Sequence, residues 1–269
     1  MIVAARLATA SAAVYEQPFD TVGALPSDWA VAGYFNDSYG SVAVETVSAG
    51  GETTGLRLQR TVGTGGAAGN SFVYYKGSFG DVANGVLSDF TGSAIVRIQA
   101  IGKSVSDGFM VRTAEPNGTS GSLSGYFVTF SRGDYTNGTP GVLEIYKNPN
   151  GASAKGQLLQ SVLLDVPLTF NTDYLFEVKA QGNTISGFLY SWDDSTDSFS
   201  RLLGQVSVED GSYTSGLFGF RTTHDGASQS ILLRDVKIET IPEPSAAALL
   251  LPASLALLVW KSRRHQLLV

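Results

Sequence analysis

The sequence predicts an all-β protein, a two-sheet antiparallel jelly-roll sandwich over residues 14–240, followed by a single C-terminal transmembrane helix. Three observations predict it. Apolar and polar side chains alternate with a period of two in one segment after another, the pattern of strands with one buried and one wet face. Gly, Asn and Asp punctuate these segments, and Gly alone accounts for 31 residues. No stretch before residue 246 keeps a helical period, whereas residues 246–260 carry no charge.

The chain opens on small apolar residues. Ala10-Ser11-Ala12 fits the small-x-small pattern of a signal-peptidase site. The run before it is short and interrupted by Arg6, so residues 1–13 read as the back half of a signal peptide that starts upstream. Strands are expected at 41–47, 55–60, 94–99, 126–130, 142–146, 174–179, 184–192, 202–208, 217–221 and 231–238. Asn117-Gly118, Asn137-Gly138, Asn150-Gly151, Gly182-Asn183, Asp210-Gly211 and Asp225-Gly226 fall between runs. Such dipeptides reach positive φ at low cost and close hairpins. Many short strands at this spacing imply two stacked sheets in one domain.

The tail follows. Pro242 and Pro244 end any strand and set an extended linker. The apolar run lies near the short end of a membrane-spanning helix, for which about 17–25 residues are typical, and Pro252 is tolerated in lipid. Lys261, Arg263 and Arg264 close the run and are expected on the cytoplasmic side, which puts the body outside. In this order the parts resemble the PEP-CTERM sorting signal of Gram-negative and related bacteria. Pro242, Glu243 and Pro244 match its motif, and Arg263 and Arg264 match its basic cluster. The resemblance covers residues 241–269. It implies an exosortase in the inner membrane as partner, cleavage near the motif, and a final place at the cell surface or outside the cell.

The body resembles the concanavalin A-like lectin and glucanase sandwiches. Tyr15-Glu16-Gln17-Pro18-Phe19-Asp20, with Leu25 to Trp29, is similar to their first strand. Residues 174–190 resemble their late hairpin, and residues 233–238 their closing strand. The resemblance implies the fold; activity must come from a site, because such a superfold hosts many functions.

Composition narrows the chemistry. There is no Cys, so disulfides, Cys-ligated zinc and a thiol nucleophile are excluded. Two His exclude a multi-His metal centre. A net charge of −6 without a basic stripe argues against nucleic acid. Laminarinase-like glucanases place Glu-x-Asp-x-x-Glu on one strand face, with the carboxyls about 5–5.5 Å apart. That motif is missing here: Glu144 is followed two residues on by Tyr146, and Glu177 by Lys179. His224-Asp225 near Ser228 has no Gly-x-Ser-x-Gly elbow and reads as a polar loop. Asp193, Asp194 and Asp197 read as a solvated hairpin tip.

Two kinds of site remain. The sandwich resemblance implies a structural calcium tying the first and last strands, with Glu16, Asp20 and Asp235 as hard carboxylate ligands. Trp29, Tyr74, Tyr75 and Trp192 are candidate stacking surfaces for sugar rings, and Tyr34 is a further one. Tyr74 and Tyr75 face opposite sides of a strand, so at most one serves a given surface. The expectation is an exported, non-catalytic, lectin-like surface protein with carbohydrate as ligand. Two alternatives stay open: a polysaccharide hydrolase or lyase with a different carboxylate pair, and a purely structural surface protein.

Overall fold

The computed structural model describes residues 11–33, 40–48, 51–60, 69–100, 107–116, 123–133, 138–148, 156–224 and 229–242. Their strands, in chain order, are β1 (Val14–Gln17), β2 (Trp29–Gly33), β3 (Gly40–Val47), β4 (Thr53–Arg60), β5 (Gly69–Tyr75), β6 (Phe90–Ala100), β7 (Asp107–Thr113) and β8 (Gly125–Ser131). There follow β9 (Val142–Asn148), β10 (Gln157–Leu163), β11 (Asp173–Gln181), β12 (Thr184–Asp193), β13 (Ser198–Glu209), β14 (Leu217–His224) and β15 (Gln229–Thr240). The folded unit is Ala13–Thr240; of the second unit, Met1–Ala12 with Ile241–Val269, only residues 11, 12, 241 and 242 are described.

The strands form two sheets. One has eight strands in the order β13-β12-β11-β6-β15-β4-β3, with β1 beside β15; the other has seven in the order β10-β9-β8-β7-β14-β5-β2. The strand pairs are antiparallel. Every alternating segment singled out in the sequence falls inside a strand. β11 shows why. Tyr174, Phe176, Val178 and Ala180 are buried, and the residues between them are partly exposed. Across the sandwich Phe109 of β7 stacks on Phe176 at 4.7 Å, and each such buried aromatic stabilises by about 1.5–3 kcal/mol. Gly182, at φ 56°, closes the β11–β12 hairpin as the Gly-Asn pair requires.

The seven-stranded sheet departs from the one-wet-face pattern. Its inner face joins the core, but its outer face is apolar as well: Phe72, Tyr74, Met110, Phe127, Tyr146 and Leu217 form a second buried cluster. β7 is therefore buried at every position. In the eight-stranded sheet, β15 pairs first with β4 and then with β1. The register shifts between Arg234 and Lys237, and Asp235 sits at that junction with φ 47°. The ends of the unit meet there: Ala13 N donates to Thr240 Oγ1 (2.8 Å), and Thr240 N to Ala13 O (2.9 Å).

Among the described residues no helix is long and apolar enough to cross a membrane. The expected spanning segment, with Glu243, Pro244, Lys261, Arg263 and Arg264, lies outside the described residues; Pro242 is exposed.

Candidate ligand-binding site

A cavity of about 630 Å³ opens where β5, β7 and β14 run into their loops. Strand alternation builds it. Tyr75 turns into the core, so Tyr74 turns to the outer face and reaches the cavity. Tyr74 OH donates to Glu115 Oε1 at 3.1 Å. Burial and the Glu115 charge push the Tyr74 hydroxyl up to about 12. Lys76, Asn84 and Ser215 add polar groups, while Val86, Tyr213 and Leu217 supply apolar wall. The lining thus mixes hydrogen-bonding groups of both senses with carbon surface, as small-molecule sites do.

Arg112 forms the floor. Leu217 pairs with Thr113 and Gly219 with Met110, so Val111 and Arg112 together oppose Phe218 in a β-bulge. The bulge places Arg112 at φ 52°. Its side chain is 1% exposed. Nε donates to Ser88 O (2.7 Å), Nη1 to Gly182 O (2.7 Å) and Tyr213 O (3.3 Å), and Nη2 to Asp89 Oδ1 (2.8 Å). Burial lowers the guanidinium pKa, and Asp89 and Tyr126 oppose that. Arg112 belongs to the seven-stranded sheet, whereas Asp89 and Gly182 border strands of the other, so this one residue clasps the two sheets together.

A second brace holds the loop before β14. Tyr126 OH donates to Asp210 Oδ1 (2.7 Å), Lys147 Nζ to Asp210 Oδ2 (2.6 Å) and Ser212 N to Asp210 Oδ1 (2.9 Å). Desolvation raises the Asp210 pKa, but the hydrogen bonds from Lys147, Ser212 and Tyr126 outweigh it and hold the carboxyl well below the usual carboxylate range.

Elsewhere on the seven-stranded sheet Arg221 is fully buried over the Phe127 ring at 4.5 Å. Burial pushes Arg221 down to about 10, against the charges of Asp107 and Tyr146. Tyr146 is raised by burial and then by its hydrogen bond to Glu144. The sheet therefore embeds paired charge in an apolar layer, an arrangement that costs desolvation and fixes geometry in return.

No family model and no curated protein matches the chain. Known structures do. The sandwich is similar to that of VIP36. The exoplasmic/lumenal domain of VIP36 in its Ca2+-bound form aligns at 11% identity, over 87% of this chain and 92% of that chain, with a TM-score of 0.54. Its Ca2+/Man2-bound form aligns at 12% identity, over 87% and 90%, with a TM-score of 0.54. A Bacillus subtilis protein of unknown function with a galectin-like fold aligns at 12% identity, over 87% and 98%, with a TM-score of 0.53. At such identities the likeness is one of fold: an all-β, two-sheet antiparallel sandwich resembling galectin and lectin folds.

The structure separates the candidate aromatics. Trp29 (5% exposed) and Tyr75 (1%) are core residues, and neither presents a ring face to solvent. Trp29 Nε1 donates to Tyr15 OH at 3.0 Å, and that hydroxyl donates to Asp28 Oδ2 at 3.1 Å, so the indole N–H is satisfied inside. Tyr74 reaches the cavity through its hydroxyl. Trp192 is 44% exposed at a separate cleft. Tyr34 lies outside the described residues, as do Asp225 and Ser228. Asp193 accepts from Ser195 N, Ser195 Oγ and Ser200 Oγ, which lower its pKa and make it a turn-forming carboxylate.

The calcium trio is not assembled. Glu16 and Asp235 line one cleft on the eight-stranded sheet together with Lys237, whose ammonium disfavours a cation there, and Asp20 does not line it. Asp20 Oδ1 accepts instead from Thr21 Oγ1 at 3.2 Å. Among the described residues no three His, Asp or Glu form a metal cluster, and calcium asks for 6–8 oxygens. Sequence reasoning missed Arg112, Glu115 and Arg221. The available signal was a charged residue inside an apolar strand, as in Asp107-Gly-Phe-Met-Val-Arg112 and Phe218-Gly-Phe-Arg221.

Proposed function

We propose that the sandwich is a non-catalytic glycan-binding module, carried on an exported chain that an exosortase-type system sorts to the cell surface through residues 241–269. One observation carries the binding half: the Tyr74–Glu115 cavity, with its mixed polar and apolar lining on a rigid floor. Sugars need that mixture, because their hydroxyls both donate and accept while their C–H faces seek carbon surface. Glu115 supplies a charged acceptor, which bonds a hydroxyl about twice as strongly as a neutral one. Glu115 is also the single carboxylate among the described lining residues, whereas glycosidases of the usual kind use a flanking pair. The lectin-like fold agrees with the reading, and the solved VIP36 forms include one with Man2. The sorting half rests on the order of motif, apolar run and basic cluster in the sequence.

Titration of the purified protein against a glycan panel tests the first half. Saturable binding is expected, weakened tenfold or more by Glu115→Gln, without release of reducing ends. Binding untouched by Glu115→Gln would move the site elsewhere. A blank panel from folded protein would favour a structural surface role, and reducing-end release would favour a hydrolase. The titration is repeated with a chelator. Loss of binding there would show that bound calcium holds the site.

A further inference from the structure

A cleft of about 430 Å³ lies between β11–β13 and the loop that leads into β11. Register explains its make-up. Tyr174 on β11 pairs with Ser191 on β12, and Ser191 pairs with Arg201 on β13, so the three form one row across the sheet. A register shift after Ser191 brings in Trp192, which also lines the cleft. The Trp192 ring meets Phe199 edge-on at 5.1 Å and 85°, which fixes it while leaving it 44% exposed. Of the aromatic candidates among the described residues it is the one that offers a ring to solvent. Arg201 is exposed and has no hydrogen-bond or ion-pair partner among the described residues. Ser191 Oγ is buried at the cleft without a hydrogen-bond partner among them. Thr169 Oγ1 donates to Thr172 Oγ1 at 2.7 Å and lies 3.0 Å from Tyr174 OH, so this wall is already ordered.

We propose that this cleft is a second carbohydrate site, taking a neutral pyranose residue stacked on Trp192. The indole face takes the C–H face of the sugar. The Arg201 guanidinium donates to its hydroxyls, and Ser191 gains a partner. Arg201 is the charged residue among the described lining, and Asp193, Asp194 and Asp197, within five residues of Trp192 on a chain of net charge −6, offset its pull on a polyanion and leave a neutral sugar favoured. The proposal rests on the glycan-binding reading above but on different residues.

Its consequence is bivalency. Arg112, in the first cavity, donates to Gly182 O at the β11–β12 turn. β12 starts at Thr184 beside that turn, and Ser191 lies seven residues along it, which at a strand rise of 3.2–3.4 Å is about 23 Å away. Two sites at opposite ends of one rigid sandwich can hold two polysaccharide chains at once.

The test uses the full chain with mannotriose, cellotriose and a uronate trimer as probes, calorimetry to count sites and acrylamide quenching to follow Trp192. Two sites are expected for a neutral trimer. Trp192→Ala and Arg201→Ala should each leave one, and Glu115→Gln should leave the other. Trp192→Ala should also abolish the turbidity the native protein induces in a long neutral mannan. Two sites surviving in Trp192→Ala would overturn the proposal, and so would uronate preferred over neutral trimer in Glu115→Gln. Two sites in Glu115→Gln with one in Trp192→Ala would sink the first cavity and uphold the cleft. No binding by the native protein would remove the glycan-binding reading, and the cleft with it.

Discussion

Replacing Arg112 by methionine keeps the length of the side chain and removes its donors. Three carbonyls and the Asp89 carboxylate then lose the guanidinium donor at once, and Asp89 keeps only the Gly182 N–H at 3.0 Å. Hydrogen bonds to a charged group are worth about 1.5–3 kcal/mol each, but simple addition overstates the loss. The Asp89 side chain is 24% exposed, so water recovers part of it. Removing one partner of a buried ion pair costs about 3–5 kcal/mol, and that is the figure expected here. In a domain of this size each kcal/mol moves Tm by about 2–4 °C, so Arg112→Met should lower Tm by roughly 6–20 °C. Arg112→Lys should recover less than half, because an ammonium cannot span acceptors arranged for a planar fork. Thermal unfolding followed by circular dichroism reads both. A fall of under about 3 °C for Arg112→Met, below the range expected for any broken buried pair, would refute the clasp.

Four further outcomes are expected. The Asp210 carboxyl is depressed in the folded protein, so its stabilisation is complete above the unfolded carboxylate pKa of about 3.9 and is lost as pH falls through the folded value; urea titrations between pH 2 and 6 should show an acid limb that Asp210→Asn flattens. Tyr74 and Tyr126 are raised to about 12 by burial, so their contribution is intact below pH 10 and lost as pH rises through 12; phenolate absorbance should show a late-titrating class that Tyr74→Phe reduces. A Cβ on Gly108 would lie 2.0 Å from Val128 O, a backbone atom in the middle of the sheet, so Gly108→Ala should cost about 1–3 kcal/mol in urea unfolding, as overpacking does. Deleting residues 241–269 should leave folding intact and abolish surface localisation; unchanged localisation in cell fractionation would remove the sorting proposal.

The legible part of the fold was the part with one dry and one wet face. β11 alternates cleanly, and the period of two shows. β7 does not, because the outer face of its sheet is buried too, and Asp107-Gly-Phe-Met-Val-Arg-Thr113 carries no alternation to detect. β10 fails for the opposite reason. It is an exposed strand at the end of its sheet whose register slips between Leu158 and Gln160, which breaks the period in the middle. The main core between the sheets, not the second layer, takes two of the aromatics. Composition and spacing cannot say that Trp29 and Tyr75 pack on each other at 5.8 Å while Trp192 stays out; that depends on which strands lie above them. A charge in an apolar strand marks Arg112 out, but its role as a clasp was illegible because that needs a bulge, and no motif marks the bulge in the sequence.

The path of the chain sets the two proposed sites apart. Thr240 pairs with Phe90, and Phe90 with Ala180, so the chain enters and leaves the sandwich at the Gly182 end of β11 and β12. Ser88 and Asp89, which anchor Arg112 beneath the first cavity, immediately precede Phe90. The cavity and the chain ends therefore share one end of the molecule. The Trp192 cleft occupies the other, about 20 Å from the Thr240 row along the strands by the same strand rise. The two sites differ in chemistry as well as place: the first is built from hydrogen-bonding groups around Glu115 on a fixed floor, the second from the exposed Trp192 indole and the exposed Arg201 guanidinium. A site of the first kind draws its selectivity from hydroxyl geometry, set by the Glu115 carboxylate and the Tyr74 hydroxyl it accepts from. A site of the second kind tolerates many sugars, since most present an apolar face. Under the two proposals, one site set by hydroxyl geometry and one set by a stacking face would sit at opposite ends of the sandwich, the arrangement that bivalent binding of neutral polysaccharide needs.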